Sequence, residues 1–266
     1  MVRKLLLAAW LLCSFAGVRG LVWGQTLPEG AGNAGSETAG VASSETAVVA
    51  GSETAGVARS FSDDRSDFVV LTDVVPDVVL EMRYFSTYNF VGSRIDGYEE
   101  PVALLTREAA EALGRASDAF LQLGYRLKIF DAYRPQSAVD HFRRWGRDRD
   151  DRRMQPYFYP RVDKALVFAL GYLSTHSGHS RGSTLDLTLI DMETGLELDM
   201  GGHFDLLDTR SHFDSPEITA EQYAHRRLLR ETMSAAGFRP YDKEWWHFTL
   251  RGEPYPATYF TFPVRR

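Results

Sequence analysis

Two short stretches in the last third of the chain carry side chains able to do chemistry together: His179-Ser-Arg-Gly-Ser-Thr-Leu-Asp186 and Glu244-Trp-Trp-His247. They hold two imidazoles, a carboxylate able to ligate and a spare carboxylate, the inventory of a catalytic zinc centre that splits an amide with water. Two neutral imidazoles and one carboxylate leave a fourth position on zinc open, and the metal lowers the pKa of water there towards about 7. Glu244, kept off the metal, then acts as general base, taking the water's proton and passing it to the leaving amine.

The chain has seven histidines, so the choice among them has to be argued. His141 and His225 fall in predicted helices among arginines and read as solvated surface groups. His203 and His212 flank a loop rich in Asp and Gly, and no spacing rule supports ligation by either. His176 and His179 form an i, i+3 pair, so His176 is a rival. His179 is followed by a glycine-containing turn and then by an aspartate at the start of a strand, which brings residues seven apart back together. A lone His/Asp pair is more often structural, and Glu244-x-x-His247 tips the balance towards a metal site. An ordinary surface role for Glu244 is disfavoured by its neighbours Trp245 and Trp246, which are expected to be buried. Attack on a carbonyl also builds negative charge that a fixed cation must stabilise. Arg134 is the best candidate, in the turn Ala132-Tyr-Arg-Pro135, where the proline restricts its backbone; taken alone it would more often be structural.

The elements that position these residues are legible from periodicity. Phe68–Thr72 and Val78–Tyr84 are β-rich runs separated by Pro76, which predicts two strands or a strand and an extended turn. Thr106 is placed to cap a helix running to about Leu123, with Leu113, Phe120 and Leu123 at helical spacing and Gly124 as the stop. Tyr125–Asp131 alternates, and a second helix is predicted from about Gln136 to Arg147. In Thr184–Ile190, Leu185, Leu187 and Leu189 alternate with Thr184, Asp186 and Thr188, so the leucines face a core and Asp186 faces away. Thr219 and Gln222 form a capping-box pair opening a helix that stops at Gly237. A strand is expected over Trp245–Leu250. Glu244 and His247 are three apart, so sharing a site requires Glu244 on a turn just before that strand.

Composition bounds the rest. The chain has 266 residues and is 44% hydrophobic, enough to bury a core. Val2-Arg3-Lys4 followed by an apolar run to Val18 reads as a secretory signal at residues 1–24, too short for a comfortable permanent span. Its removal takes away Arg3, Lys4 and Arg19 and no acid, moving the net charge from −6 to −9. That argues against nucleic acid as a partner, and no stable membrane span is expected after cleavage. Cys13, the single cysteine, sits inside the signal, so zinc ligation falls to histidine and carboxylate. Three copies of an eight-residue repeat of small residues, Gly35–Ala42, Ser43–Ala50 and Gly51–Ala58, cannot build a core, so residues 25–59 read as a low-complexity flexible linker. Residues 60–266 read as the folded catalytic domain.

The pieces together resemble the D-alanyl-D-alanine dipeptidases of the VanX type. The resemblance rests on Asp131-x-Tyr-Arg-Pro135, Ser177-x-His-Ser-Arg-Gly-Ser-x-x-Asp-Leu-Thr-Leu189, Asp199-Met-Gly201 with Phe204-Asp205, Arg210-Ser-His212 and Glu244-Trp-Trp-His247. Arg83-Tyr84, Asn89-Phe90-x-Gly92 and Gly97-Tyr98 add to it, so it covers nearly all of Ser60–Arg266. It implies His179, Asp186 and His247 as ligands of one zinc ion per subunit, Glu244 as base and Arg134 at the oxyanion. It further implies a very small dipeptide substrate in a closed cavity, its amino end near Tyr84 and Asp205, its carboxylate near Ser177 and Tyr98. The fold implied is α+β, a central antiparallel sheet with flanking helices, shared with the hedgehog amino-terminal domain and zinc D,D-carboxypeptidases. The expected activity is hydrolysis of D-alanyl-D-alanine, linked to peptidoglycan metabolism, in an exported, periplasmic or extracytoplasmic protein. Two alternatives stand beside it: a carboxypeptidase or endopeptidase acting on peptidoglycan stem peptides, and a non-catalytic zinc-containing binding module. Departures are few: Gly178 stands where a second serine is common, and Gly201-Gly-His203 precedes Phe204 in a variable loop.

Overall fold

The period-2 leucines of Thr184–Ile190 become the middle of a sheet. The computed structural model describes residues 58–266, which fall in the unit Glu53–Arg266; the expected signal at 1–24 and all but the last two residues of the expected linker lie outside the described residues. In chain order the elements are β1 (Ser60–Ser62), β2 (Phe68–Val70), α1 (Leu71–Val74), β3 (Val79–Leu80), β4 (Leu104–Thr106), α2 (Arg107–Gln122), β5 (Tyr125–Asp131), α3 (Gln136–Arg147) and α4 (Gln155–Phe158). They continue with β6 (Thr184–Asp191), α5 (Ala220–Ala235), β7 (Phe238–Tyr241), β8 (Glu244–Leu250) and β9 (Thr258–Phe260).

The main sheet is five-stranded, in the order β3-β5-β6-β8-β7. Its β5–β6, β6–β8 and β7–β8 ladders are antiparallel, while β3 runs parallel to β5. The sheet is therefore mixed, and the expectation of an antiparallel sheet is corrected at this edge. The chain leaves β3, makes a long excursion that includes α2 and returns in the same direction, which is the connection a parallel pair requires. Two small ladders, β2–β4 and β1–β9, lie outside the main sheet.

Helices α2 and α5 cover one face, α2 packing on β5 and α5 on β7. Leu113 and Phe120 of α2, Leu229 and Met233 of α5, and Leu127, Ile129, Leu185, Leu187 and Leu189 of the sheet are all buried. Each such side chain contributes roughly 1.5–3 kcal/mol relative to exposure. On the other face of β6, turned away from the leucines, Thr184, Asp186 and Thr188 are buried too. An aromatic group fills this side: Phe142 of α3 lies 5.2 Å from Tyr84 and 4.8 Å from Phe90, and Phe204 stacks on Phe130 at 4.7 Å.

Most elements follow the periodicity, and two details differ: the run Phe68–Thr72 is strand only to Val70 and helical from Leu71, and Thr106 makes no cap. The run Val78–Tyr84 is a short strand, Val79–Leu80, that passes into an extended turn: its pairing goes on through Glu81 N–H to Ile129 O (2.9 Å) and Arg83 N–H to Phe130 O (3.1 Å), and the chain turns at Met82–Phe85. That turn carries the Tyr84 ring into the interior. Thr106 precedes α2 but makes no side-chain cap; its hydroxyl bonds Ser183 Oγ at 2.8 Å. Thr219 and Gln222 do form the capping box at the start of α5.

Candidate active site

The turn between His179 and Asp186 is built by local chemistry. Ser177 Oγ accepts from the backbone N–H of His179 at 3.3 Å and opens a short helical turn, Gly178–Arg181. Gly182 ends that turn at φ +80°, with Phe68 so close that a Cβ would sit 2.3 Å from the ring. Only glycine meets both demands. The chain then enters β6, whose Asp186 lies directly opposite His247 of β8.

Glu244 reaches the same place because β8 is irregular at its start. The β7–β8 ladder passes from Pro240 opposite Phe248 to Tyr241 opposite Glu244, skipping the regular register. Glu244 is thus the first residue of the strand, not part of a preceding turn, and the break in register brings its Oε2 to 3.6 Å from His247 Nδ1. Trp245 and Trp246 beside it are buried, as expected.

The three candidate ligand atoms converge. His179 Nε2 is 3.2 Å from His247 Nδ1 and 3.4 Å from Asp186 Oδ1, and His247 Nδ1 is 3.1 Å from Asp186 Oδ1. Ligands on a tetrahedral ion with bonds of about 2.0–2.1 Å stand roughly 3.3–3.4 Å apart, so this spacing fits a metal. His179 Nδ1 donates to the Ala132 carbonyl at 2.8 Å, which leaves Nε2 as its lone-pair nitrogen. Burial penalises the charge of Asp186, but His179 and His247 outweigh it and hold the carboxyl well below its ordinary range. Burial lowers the pKa of His247, favouring the neutral, ligating imidazole, with Asp186 opposing.

A second carboxylate, Asp131, stands behind the arginine. Arg134 Nε and Nη2 both donate to Asp131 Oδ2 at 2.9 Å, Nη2 lies 3.6 Å from Asp186 Oδ2, and the guanidinium sits 4.9 Å from the Tyr84 ring centroid. Tyr98 donates to the other oxygen, Asp131 Oδ1, at 2.6 Å. Asp131 is fully buried, and burial raises its pKa, offset in part by Arg134 and His179. It was visible only as the first residue of Asp-x-Tyr-Arg-Pro. Nothing in its spacing distinguished a carboxylate that orients Arg134 from an ordinary strand-end acid.

A cavity of about 200 Å³ joins these groups, lined by Tyr84, Arg134, Ser177, His179, Asp186, Asp205, Glu244 and His247, among others. That is below the roughly 300–1,000 Å³ of most small-molecule sites, so its occupant is small. Asp205 stands on its wall at φ +63°, the one non-glycine residue at positive φ among those described. Such a backbone costs on the order of 1–3 kcal/mol and marks a position held for its side chain. Tyr84 donates to Asp205 Oδ1 at 3.1 Å, while Oδ2 is buried with no partner. Burial, with the Asp186 charge adding to it, pushes the Asp205 carboxyl up to about 8. Glu244 is raised well above the usual carboxylate range by burial, then by Asp186 and Asp205.

The expected site residues do not all meet. Tyr98, expected near a substrate carboxylate, is 1% exposed and does not line the cavity, because its hydroxyl is committed to Asp131. His176 lies outside the ligand cluster, its Nδ1 bonded to Thr175 Oγ1 and its ring 5.4 Å from Tyr259. His203 bonds backbone carbonyls of Phe204 and Tyr157, and His225 the Asp199 carbonyl. His212 meets Tyr172, and His141 meets Asp96.

A buried carboxylate-and-imidazole cluster with an acid and an arginine beside it defines the class as a metal-dependent peptide hydrolase site. The D-ala-D-ala dipeptidase family profile matches residues 64–265, and the chain belongs to this family. A D-alanyl-D-alanine dipeptidase of Streptomyces coelicolor is 42% identical over 198 residues, covering 74% of this chain and 98% of the relative. One of Enterococcus faecalis is 41% identical over 74% of this chain and 98% of its own length. One of Escherichia coli is 34% identical over 74% and 89%. Among solved structures, that of the LdcB LD-carboxypeptidase matches at a TM-score of 0.38 and 19% identity, covering 71% of this chain and 70% of that one.

Proposed function

We propose that the protein hydrolyses the dipeptide D-alanyl-D-alanine to two molecules of D-alanine, with one zinc ion held by His179, Asp186 and His247. The observation that carries the reading is Asp205 Oδ2, a buried carboxylate oxygen without a partner in the same small cavity as the ligand set. A free ammonium group satisfies it, and a peptide with a blocked or extended amino end does not. Bound in this cluster, zinc would supply Lewis acidity towards the carbonyl and lower the pKa of water.

The chain's own residues do the rest. Glu244 takes the proton of the attacking water and returns it to the leaving nitrogen, from a position 3.6 Å from the His247 ligand nitrogen. Arg134, anchored by Asp131, keeps its charge at the carbonyl oxygen. Tyr84 and Asp205 hold the substrate amine, and the Ser177 hydroxyl stands on the cavity wall for its carboxylate. Tyr98 acts through Asp131.

The wider reading is an exported enzyme of peptidoglycan metabolism: a signal at 1–24, a linker at 25–59 and a catalytic domain of the zinc D,D-peptidase and hedgehog type at 60–266. The export signal supports a second reading, a carboxypeptidase or endopeptidase acting on stem peptides. Purified zinc-loaded protein assayed on D-Ala-D-Ala and on its N-acetyl derivative separates the two. Release of D-alanine from the free dipeptide alone supports the dipeptidase, and cleavage confined to acylated or larger peptides overturns it.

A further inference from the structure

One wall of the cavity belongs to no strand or long helix. Gly171, Tyr172, Leu173 and Ser174 line it together with Glu244 and His247. They form a strap whose backbone folds on itself, Tyr172 and Leu173 N–H donating to Val167 O at 3.0 and 3.2 Å. From the end of β7 and the turn that follows it, two side chains reach across to it. Tyr241 Oη donates to Gly171 O at 3.1 Å and Lys243 Nζ donates to Leu170 O at 2.7 Å. The approach is close: Gly171 has φ +82°, and a Cβ there would sit 3.1 Å from Tyr241 Oη and 3.3 Å from Lys243 Nζ. On the far side, the Tyr172 hydroxyl meets His212 Nε2 at 3.3 Å.

We propose that Tyr241 and Lys243 are specificity-determining residues, a latch that holds the Leu170–Ser174 strap down as a cavity wall and thereby limits the substrate to two residues. Both donors spend their hydrogen bonds on backbone carbonyls of the strap, so they bind its path whatever side chains it carries. Lys243 adjoins Glu244, so the same turn that sets the base also sets the wall facing it. Ser174 lies three residues before Ser177, which places the strap beside the end of the cavity assigned to the substrate carboxylate. Released, the strap leaves room for a longer peptide, while Asp186 and His247, set in β6 and β8, and His179, bonded to the Ala132 carbonyl, stay in place. The inference rests on the dipeptidase reading for the identity of the short substrate.

The test compares wild type, Lys243→Ala, Tyr241→Phe and the double variant as full-length zinc-loaded proteins, on D-Ala-D-Ala and on D-Ala-D-Ala-D-Ala. The ratio of kcat/KM for the tripeptide to that for the dipeptide is expected to rise at least about tenfold in the double variant, as losing hydrogen bonds of ordinary strength allows. Lys243→Arg, which keeps a donor, is expected to hold the wild-type ratio. Gly171→Ala, pushing the strap off from its own side, is expected to raise it. An unchanged ratio, including equal losses on both peptides, overturns the length limit. Amide hydrogen exchange reads the latch apart from activity: Tyr172 and Leu173 are expected to exchange faster in the double variant while β6 is unchanged. Unaltered exchange overturns the latch. Faster exchange in a protein whose wild type leaves D-Ala-D-Ala uncleaved upholds the latch and sinks the dipeptidase reading instead.

Discussion

Tyr84 and Asp205, 121 positions apart, meet in a single hydrogen bond of 3.1 Å that satisfies one carboxylate oxygen and leaves the other buried and free. In the proposed function this free oxygen receives the substrate's ammonium group, at the edge of the candidate metal-ligand cluster. Replacing Asp205 by Asn keeps the shape and removes the carboxyl that a bound ammonium would draw into its ionised form. For Asp205→Asn, kcat/KM on D-Ala-D-Ala should fall at least about thirtyfold, the cost of a lost charge-assisted bond, with zinc content unchanged. Steady-state kinetics with metal analysis checks this, and undiminished kcat/KM would remove Asp205 from amine recognition.

Asp205 also makes stability depend on pH. Its carboxyl is raised from 3.8 to about 8, so the folded chain keeps a proton that the unfolded chain loses above about pH 4. The sign follows: this contribution is fully present below the unfolded pKa and is lost as pH rises towards 8. For chelated protein, the stability of Asp205→Asn relative to wild type should grow from near zero at pH 4 to roughly 2 kcal/mol or more at pH 8. Urea unfolding at the two pH values measures the difference; one that does not grow with pH refutes the assignment.

Glu244→Ala should retain zinc and lose turnover by at least roughly a hundredfold, as expected for removal of a general base. Zinc content by elemental analysis and single-turnover rates report the two halves separately. Loss of the metal along with the activity would make Glu244 a ligand instead.

Asp131→Asn tests whether Arg134 needs its anchor. Both nitrogens that bond Asp131 would face a weaker, neutral acceptor, and Tyr98 would lose its charged partner. The variant should lower kcat roughly tenfold or more with a smaller change in KM, because the arginine is most needed as charge develops on the carbonyl oxygen. A change confined to KM would point to substrate binding in place of positioning.

Chelation should abolish hydrolysis and lower Tm, with both restored by zinc. Asp186 and His179 are buried, His247 is half-buried, and their ligand atoms lie within 3.4 Å of one another, so the ion binds the folded chain preferentially. A ligand present at a thousand times its Kd stabilises by about 4 kcal/mol. Calorimetry of chelated and reconstituted protein checks the size, and activity that survives complete removal of metal would overturn the mechanism.

What the sequence determined by itself is what depends on neighbours a few residues away. The helix at Gln136–Arg147, the strand at Tyr125–Asp131 and the capped start of α5 follow from periodicity and end signals read within one element. His179 and Asp186 were readable as a pair for the same reason, since the Gly182 turn is a local device, and Glu244-x-x-His247 is a single strand end. Only the tertiary structure decided which polar groups are shared and which are left over. Tyr98 and Asp131 are 33 positions apart, and their bond turns an expected substrate contact into a support for Arg134. The break in the β7–β8 register, which puts Glu244 and His247 on one site, depends on how two strands meet and not on the spacing within either. The parallel β3 edge, the unpartnered oxygen of Asp205 and the strap held by Tyr241 and Lys243 likewise come from pairings between distant segments. Hydrogen-bond satisfaction in a buried site is a property of the assembled neighbourhood, and no window along the chain contains it.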